Sequence, residues 1–378
     1  MITPTIRYYT STNDLFENNI LTLLSHIDNS RKAFNLVFFG CSEIKDYMYK
    51  LNFIKSQVRD TFPEFTPLTG FVIQPLETQQ MMGLEVHYLP ENISTDILHF
   101  KKFDNIDYLI INESDGKVLV LESAISDNIY ESIQVQSDSI FDKLKMIFSL
   151  EEIPIQNIVR QWNYIGNITS VTNEIQHYQA FNDSRSRFYS QVVWSNGYPA
   201  ATGISMSIDI VLVSVVAISE KSELQVVSID NSLQKPAHKY SNSVLVGSDL
   251  KTTPKFERAK IILKNQTGLC YISGTAAIRG EQSLNELDAT LQTKQTVENI
   301  LYLLSQKNLE FNKFKYKLEF MIESIRVYIK NASDFEAIKM EVERVWKDKP
   351  VIFTFASICR DELLVEIEGI AKLKVLLN

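Results

Sequence analysis

The most informative segment of the chain lies near the C-terminus and reads Cys359-Arg360-Asp361-Glu362-Leu363-Leu364-Val365-Glu366-Ile367-Glu368-Gly369. Leu364, Val365 and Ile367 have strand character, and successive side chains of a strand point to opposite faces. Glu366 and Glu368 should therefore share one face of the strand. The pattern alone favours a solvated face for these carboxylates, because alternating charged residues usually mark the wet side of a strand. The other interpretation is an acid whose pKa is shifted by burial.

The chain before this strand shows an ordered series of elements. A strand is predicted over residues 270–278, and a turn is predicted to follow it at Arg279-Gly280-Glu281-Gln282. The helix after the turn is predicted from apolar residues at helical spacing, namely Leu287, Leu291, Val297, Leu301 and Leu304.

The series continues with a strand over residues 318–329. Ser333 and Glu336 form a capping-box pattern, which predicts the start of a second helix. This helix carries four apolar residues at helical spacing: Phe335, Ile338, Val342 and Trp346. Two more strands, over residues 351–358 and 363–371, complete the series. Strands and helices in this order predict an α+β fold.

The N-terminal half is less regular. Three buried strands are predicted there, over residues 35–40, 106–110 and 118–121. With 12 glycines and 10 prolines in the chain, no linker stands out. We place a domain boundary near Leu224, where a second strand-rich unit begins, which gives domains of residues 1–224 and 225–378.

The composition of the chain narrows the classes of function that we expect for it. The 378 residues are 45% hydrophobic, which is enough for two domains with sizeable cores. A net charge of -8 without a basic stripe argues against a nucleic-acid partner. The sequence shows neither a leader pattern nor a long apolar run, so we predict no membrane association and a cytoplasmic location. Cysteine and histidine spacing matches no disulfide framework or zinc site, and no metal or organic cofactor is predicted.

Three further blocks lie in the middle of the chain: Arg160-Gln161-Trp162-Asn163-Tyr164-Ile165, Tyr178-Gln179-Ala180-Phe181-Asn182-Asp183-Ser184-Arg185 and Pro199-Ala200-Ala201-Thr202-Gly203-Ile204. Together with residues 234–240, residues 273–276 and the C-terminal segment, they stand in the order of the chorismatase family. The chain resembles this family, which has the RidA/YjgF-type fold, over roughly its last two thirds. The resemblance implies two RidA/YjgF-like α+β domains with mixed sheets and helices packed on one face, the first a diverged copy of the second.

The resemblance also implies an activity, the cleavage of the enolpyruvyl ether of chorismate. Chorismate is a small dianion, and cleavage begins when a proton is delivered to carbon, which requires a general acid and cationic anchors. The family's motifs place the acid at Glu366. They place substrate-binding residues at Arg360, Arg185, Arg258 and Tyr178, because guanidinium groups suit carboxylates. The other interpretation of each arginine is a surface ion pair.

Cys359 and Gly274 bear on the product. A lone cysteine at a strand end is usually a small buried hydrophobe. In the resembled family, cysteine and glycine at these positions belong to the branch that forms 3-hydroxybenzoate and pyruvate, whereas an inert residue in place of the cysteine accompanies a dihydrodiol acid. The resemblance therefore implies 3-hydroxybenzoate synthase chemistry, with Cys359 beside the ring and Gly274 leaving room for the substrate.

Two positions depart from the family's pattern. Glu281-Gln282 replace a Gly-His turn, and Lys330 stands where arginine is expected. Either change could alter the orientation of the substrate ring in the site. For this reason 4-hydroxybenzoate or a dihydrodiol acid stays an alternative product. A RidA-like binding protein without activity is a second alternative. A RidA-like imine or enamine deaminase is a third, but it leaves the three central blocks without a role. The protein is expected to be a monomer or a small homo-oligomer.

Overall fold

The structure is a computed structural model that describes residues 3–78, 81–91, 93–114, 116–220, 224–246, 251–284 and 287–376. Its strands form three main sheets, which follow one another along the chain. No helix in these residues is both long enough and apolar enough to cross a membrane.

The first sheet has four strands in the order β1-β4-β2-β3. Its elements are β1 (Thr5–Ser11), α1 (Phe16–Ser25), β2 (Ala33–Cys41), α2 (Ile44–Thr61), β3 (Leu68–Gln74) and β4 (Met82–Tyr88). β2 and β3 are parallel, and the other neighbours are antiparallel. Every residue of β2 is buried, which confirms the strand predicted over residues 35–40.

The second sheet has six strands in the order β5-β6-β7-β12-β8-β11. Its segment contains β5 (Leu98–Phe103), β6 (Ile106–Glu113), β7 (Gly116–Ile125), α3 (Ile133–Leu150), β8 (Ile158–Gly166), β9 (Val171–Thr172), β10 (Ile175–Gln176), α4 (His177–Tyr189), β11 (Ala200–Met206) and β12 (Val211–Glu220). β9 and β10 form a small separate hairpin. The strands predicted over residues 106–110 and 118–121 are confirmed as parts of β6 and β7.

The third sheet has six strands in the order β13-β14-β15-β20-β18-β19. Its segment contains β13 (Leu224–Ile229), β14 (Ala259–Lys264), β15 (Thr267–Thr275), β16 (Ile278–Arg279), β17 (Gln282–Ser283), α5 (Ala289–Leu303), α6 (Gln306–Phe311), β18 (Leu318–Ile329), α7 (Phe335–Trp346), β19 (Val351–Phe355) and β20 (Val365–Val375). β16 and β17 form the hairpin at the predicted turn. The series of strands and helices predicted for this region is confirmed.

The second and third sheets have the same topology. In each, the last strand returns to the middle of the sheet, and the parallel pairs are β8 with β11 and β18 with β19. The first sheet repeats the four-stranded core of this pattern without the two leading strands. The predicted α+β units with mixed sheets are therefore confirmed, and the first sheet is an additional short copy that no sequence pattern indicated. β13 begins at Leu224, but the division into two domains there stays a prediction.

Helices cover one face of the sheets, and the opposite faces meet in the centre of the molecule. In β20, Val365 and Ile367 pack with Ile300 of α5 and Val342 of α7. Towards the centre, β11 lies against β15, β3 against β7, and β1 against β18. Both faces of β20 are therefore buried. The strand pattern favoured a solvated face for Glu366 and Glu368. That prediction is wrong, because the two residues are only 5% and 2% exposed.

Two predicted details of the helices are also wrong. Leu287, Leu291 and Leu301 are exposed, and α5 instead buries a polar face that includes Gln292 and Asn299. These amides hydrogen-bond to the backbone of the loops that α5 covers, so the loops require polar partners rather than leucines.

The capping box is absent from α7. Ser333 lies in a 3₁₀ turn, the N-cap is Asp334, and its side chain makes no capping hydrogen bond. The amphipathic pattern still predicted the helix, because Ile338, Val342 and Trp346 are buried.

Candidate active site

A cavity of about 360 Å³ lies between the second and third sheets. β11 and α4 line it from the second sheet, and β15, β20 and the connections around them line it from the third. The structure brings together in it all seven site residues that the sequence analysis named: Glu366, Cys359, Arg360, Arg185, Arg258, Tyr178 and Gly274. A cavity of this size suits a small molecule.

Glu366 reaches the cavity from β20. None of the described residues forms a hydrogen bond with its carboxyl group. Burial, together with the nearby charge of Glu368, raises the pKa of Glu366 to about 8. Because a carboxyl group with this pKa is mostly protonated at neutral pH, Glu366 can act as a proton donor.

Gly274 leaves the space that the Glu366 carboxyl group occupies. A Cβ atom at residue 274 would overlap Oε1 of Glu366 and would lie 3.0 Å from Cγ2 of Thr202. The backbone N–H of Gly274 donates a hydrogen bond to Oγ1 of Thr202 at 3.0 Å. Glycine is thus required here by close approach of the acid. Room for a shifted substrate, which the resemblance implied, stays a prediction.

Arg185 is a buried cation at one side of the cavity. It is 2% exposed, and its Nη2 donates to Oδ1 of Asn182 at 2.6 Å. Its Nε has no hydrogen-bond partner among the residues that the structure describes. A buried guanidinium group with an unused donor is a strong attraction for an anion.

Arg258 and Arg360 flank a tyrosine at another side. The guanidinium carbons of Arg258 and Arg360 lie 5.8 and 5.3 Å from the ring centroid of Tyr240. Arg258 also donates to the Tyr240 hydroxyl oxygen at 2.7 Å. Neither these two arginines nor Arg185 forms a salt bridge with any described carboxylate. Among the residues that the structure describes, none of the three arginines therefore forms the surface ion pair that was the other interpretation of its sequence position.

Cys359 and Tyr178 complete the wall near the acid. Burial raises the pKa of the Cys359 thiol to about 12, and the neighbouring Glu366 adds to the shift. The thiol is therefore protonated at neutral pH, which argues against a thiolate nucleophile. Burial also raises the pKa of Tyr178, so its phenol remains a hydrogen-bond donor. The ring of Tyr178 lies over Gly203, where an added Cβ would be 3.2 Å from Cε2.

Glu368, the second glutamate of β20, has a structural position. It accepts hydrogen bonds from five buried side chains of the second and third sheets: Arg160, Trp162, Thr202, Arg326 and Tyr328. Arg326 is also paired with Glu85 of the first sheet. This buried network joins all three sheets at the centre of the molecule. Arg160, which lies in a family block, belongs to the network and not to the cavity lining.

Sequence reasoning missed several residues of the cavity. Tyr240, Asn182 and Thr202 line it but were not named as site residues. All three lie within family blocks, which was the available signal. Of the two departures, Lys330 donates to the backbone carbonyl of Asp361 and so holds the loop before β20. Among the described side chains, no cluster of His, Cys, Asp and Glu could hold a metal ion, and the absence of a cofactor stays a prediction.

Two family models match successive parts of the chain. The model described as "Chorismatase FkbO/Hyg5-like, N-terminal" matches residues 103–217. The model described as "Endoribonuclease L-PSP" matches residues 247–373. These two segments contain the β6–β12 part of the second sheet and the β14–β20 part of the third.

Individual relatives agree with these matches. A 3-hydroxybenzoate synthase from Streptomyces hygroscopicus is 27% identical over 58% of this chain and 65% of its own length. A chorismatase from Streptomyces rapamycinicus is 25% identical over 57% of this chain and 64% of its own length. The matches thus span slightly less than two thirds of these relatives.

A solved structure extends the similarity to the whole fold. A crystal structure of a chorismatase matches 98% of this chain and 99% of that chain, with a TM-score of 0.69 and 17% identity. At this identity the match shows a common fold, which includes the first sheet. The fold, the two family models and the order of the sequence blocks agree, and the resemblance to the chorismatase family is confirmed.

Proposed function

We propose that this protein is an enzyme that cleaves chorismate to pyruvate and 3-hydroxybenzoate. The observation that carries the proposal is the charge pattern of one cavity. Three arginines without carboxylate partners among the described residues surround a glutamic acid that is protonated at neutral pH. Chorismate has two carboxylates for the arginines and an enol ether for the acid. Two of the relatives are named for chorismate cleavage or for 3-hydroxybenzoate formation, which supports this choice of substrate.

The proposed reaction begins with a proton transfer. Glu366 protonates the methylene carbon of the enolpyruvyl group, and the ether carbon becomes an oxocarbenium ion. Water or the neighbouring ring hydroxyl traps this cation, and the bond between the ether carbon and the ether oxygen then breaks. For 3-hydroxybenzoate, the ring hydroxyl traps the cation, its proton passes to the ether oxygen, and pyruvate leaves with the hydroxyl oxygen as the bond from that oxygen to the ring carbon breaks. The neighbouring ring carbon, which keeps the former ether oxygen, then loses its proton to Glu366, so that the ring becomes aromatic and no net water is consumed. A dihydrodiol acid would instead require one water molecule.

The arginines have the positioning role in this proposal. Arg185 would bind one carboxylate, and Arg258 with Arg360 would bind the other, since guanidinium groups can form paired hydrogen bonds with carboxylates. Holding both ends places the methylene carbon at Glu366.

Pyruvate formation tests the proposal. We expect purified protein to release one pyruvate per chorismate in the presence of excess chelator, as followed with a coupled lactate dehydrogenase. Chromatography and mass spectrometry of the organic acids identify the ring product. Folded protein that binds chorismate without releasing pyruvate would favour the inactive binding protein over the enzyme.

Cys359→Ala is expected to change the product more than the rate. The thiol lies beside Glu366 at the cavity wall and remains protonated at neutral pH, so it can exchange a proton with the ring or keep water away from it. We expect the variant to form pyruvate within about threefold of the wild-type rate, because the acid is untouched. Its ring product should shift towards the dihydrodiol acid, which is heavier by one water molecule. If Cys359→Ala still forms 3-hydroxybenzoate as its ring product, Cys359 is only a packing residue of the cavity wall.

A further inference from the structure

Residues 240–246, here called the strap, close one side of the cavity. Tyr240, Ser243, Val244, Leu245 and Val246 line it. The strap contains a single 3₁₀ turn, Asn242–Val244, and no strand, so a sheet does not hold it in place. Its position therefore depends on side-chain contacts with neighbouring segments.

Glu281 contacts the strap at Ser241, while Lys251 Nζ donates to the backbone carbonyls of Asn242 and Leu245. Its Oε2 accepts a hydrogen bond from the backbone N–H of Ser241 at 2.8 Å, and its Oε1 accepts one from the Ser241 hydroxyl at 2.7 Å. Lys235 Nζ donates to Oε2 at 2.8 Å. The hydrogen bond from Lys235, followed by those from Ser241, lowers the pKa of Glu281 to about 2. The carboxylate is therefore charged over the whole working range of pH.

The main chain around Glu281 is itself fixed. Gly280 adopts φ +58° at the hairpin tip, a conformation that glycine adopts readily. Gly280 also exchanges backbone hydrogen bonds with the segment before the strap, at 2.7 Å with Lys235 N–H and at 2.9 Å with Leu233 carbonyl. The hairpin thus holds the Glu281 carboxylate at one place relative to the third sheet.

The hairpin and the segment before the strap each hold one of the two arginines near Tyr240. The backbone carbonyl of Glu281 accepts a hydrogen bond from Nη1 of Arg360 at 2.9 Å. Arg258 Nη2 donates to the backbone carbonyl of Lys235 at 2.8 Å. Tyr240 is close to both of these guanidinium groups and directly precedes the serine that Glu281 binds. A single residue therefore contacts both the strap and the cationic end of the cavity.

We propose that Glu281 is a positioning residue that holds the strap and Tyr240 against Arg258 and Arg360, and thereby sets the affinity of this end of the cavity for a carboxylate. The identity of the ligand rests on the proposed function, whereas the attachment of the strap does not. Glu281 stands at the turn where the resembled family often has a Gly-His pair. In this chain the departure therefore supplies an anchor for the strap.

The test compares Glu281→Ala and Glu281→Gln with the wild-type protein. Without ligand, hydrogen exchange should be about tenfold faster in residues 240–246 of Glu281→Ala, because Ser241 N–H loses its charged acceptor. KM for chorismate should rise about tenfold or more, with kcat within about threefold, because Glu366 is not displaced. Glu281→Gln keeps an acceptor for Ser241. Its hydrogen-exchange rates in residues 240–246 and its KM should therefore lie between those of Glu281→Ala and those of the wild type.

Glu298→Gln is the matched control. Glu298 forms an exposed pair with Arg279 of the same hairpin and does not touch the strap, so both measurements should match the wild type. Unchanged exchange in residues 240–246 of Glu281→Ala would overturn the proposal whether or not the protein cleaves chorismate. Faster exchange with unchanged KM would overturn the link to affinity. If the wild type releases no pyruvate, the proposed function fails, and affinity for chorismate measured by calorimetry replaces KM in the same comparison.

Discussion

Glu366→Gln is expected to lower kcat for pyruvate formation by roughly 100- to 10,000-fold, the usual contribution of a general acid. Glutamine has nearly the shape of glutamic acid, and Glu366 is protonated and uncharged at neutral pH. The variant should therefore keep its structure and its affinity for chorismate, while it cannot deliver a proton to carbon. The coupled pyruvate assay gives kcat, and titration calorimetry gives the dissociation constant.

The control for this prediction is Glu298→Gln. Glu298 forms an exposed ion pair with Arg279 and does not line the cavity, so its substitution should leave kcat within about threefold of the wild type. A loss of less than about tenfold in Glu366→Gln would be too small for a general acid. The acid would then have to be a different group.

The second large effect is expected on stability. Glu368→Gln should lower the free energy of unfolding by about 3–5 kcal/mol, because it removes the charge that compensates Arg160 in the centre of the molecule. Arg160 is 1% exposed, and two of its nitrogens already lack partners among the described residues. Urea denaturation of wild type and variant gives the difference.

Glu298→Gln is again the reference, because it breaks an exposed ion pair of a kind that contributes at most about 1 kcal/mol. A similarly small loss in Glu368→Gln would show that the buried network does not stabilise the arrangement of the sheets. Glu368 is for this reason unsuitable as a neutral control for Glu366, although both are glutamates on one face of β20.

The third sheet and the site could be predicted because their signals are local. The alternation around Val365 and Ile367 predicted the strand, and the family blocks named residues that the structure brings into one cavity. The burial of Glu366 could not be predicted from such local signals. A strand shows which residues share a face, but whether that face meets water depends on a second sheet, here the one that contains β11.

The remaining misses have the same physical origin. The polar face of α5 is buried because it satisfies loop carbonyls and N–H groups that are distant in sequence, and no helical periodicity contains that information. The first sheet repeats the topology of the others without a detectable sequence repeat. Its four strands are buried against the other two sheets. Many different apolar sequences can fill such a buried position, so the sequence need not show the repeat.

The pH dependence of kcat/KM for pyruvate formation shows whether Glu366 acts in its protonated form. The pKa of Glu366 is raised to about 8, and the acid form is lost as pH rises through this value. Because kcat/KM reports the ionisation of the free enzyme, we predict a constant value from pH 6 to about 7 and a fall of about tenfold for each further pH unit well above 8. A value that instead rises between pH 6 and 9 would contradict the account, because it would require Glu366 to act as an ionised base.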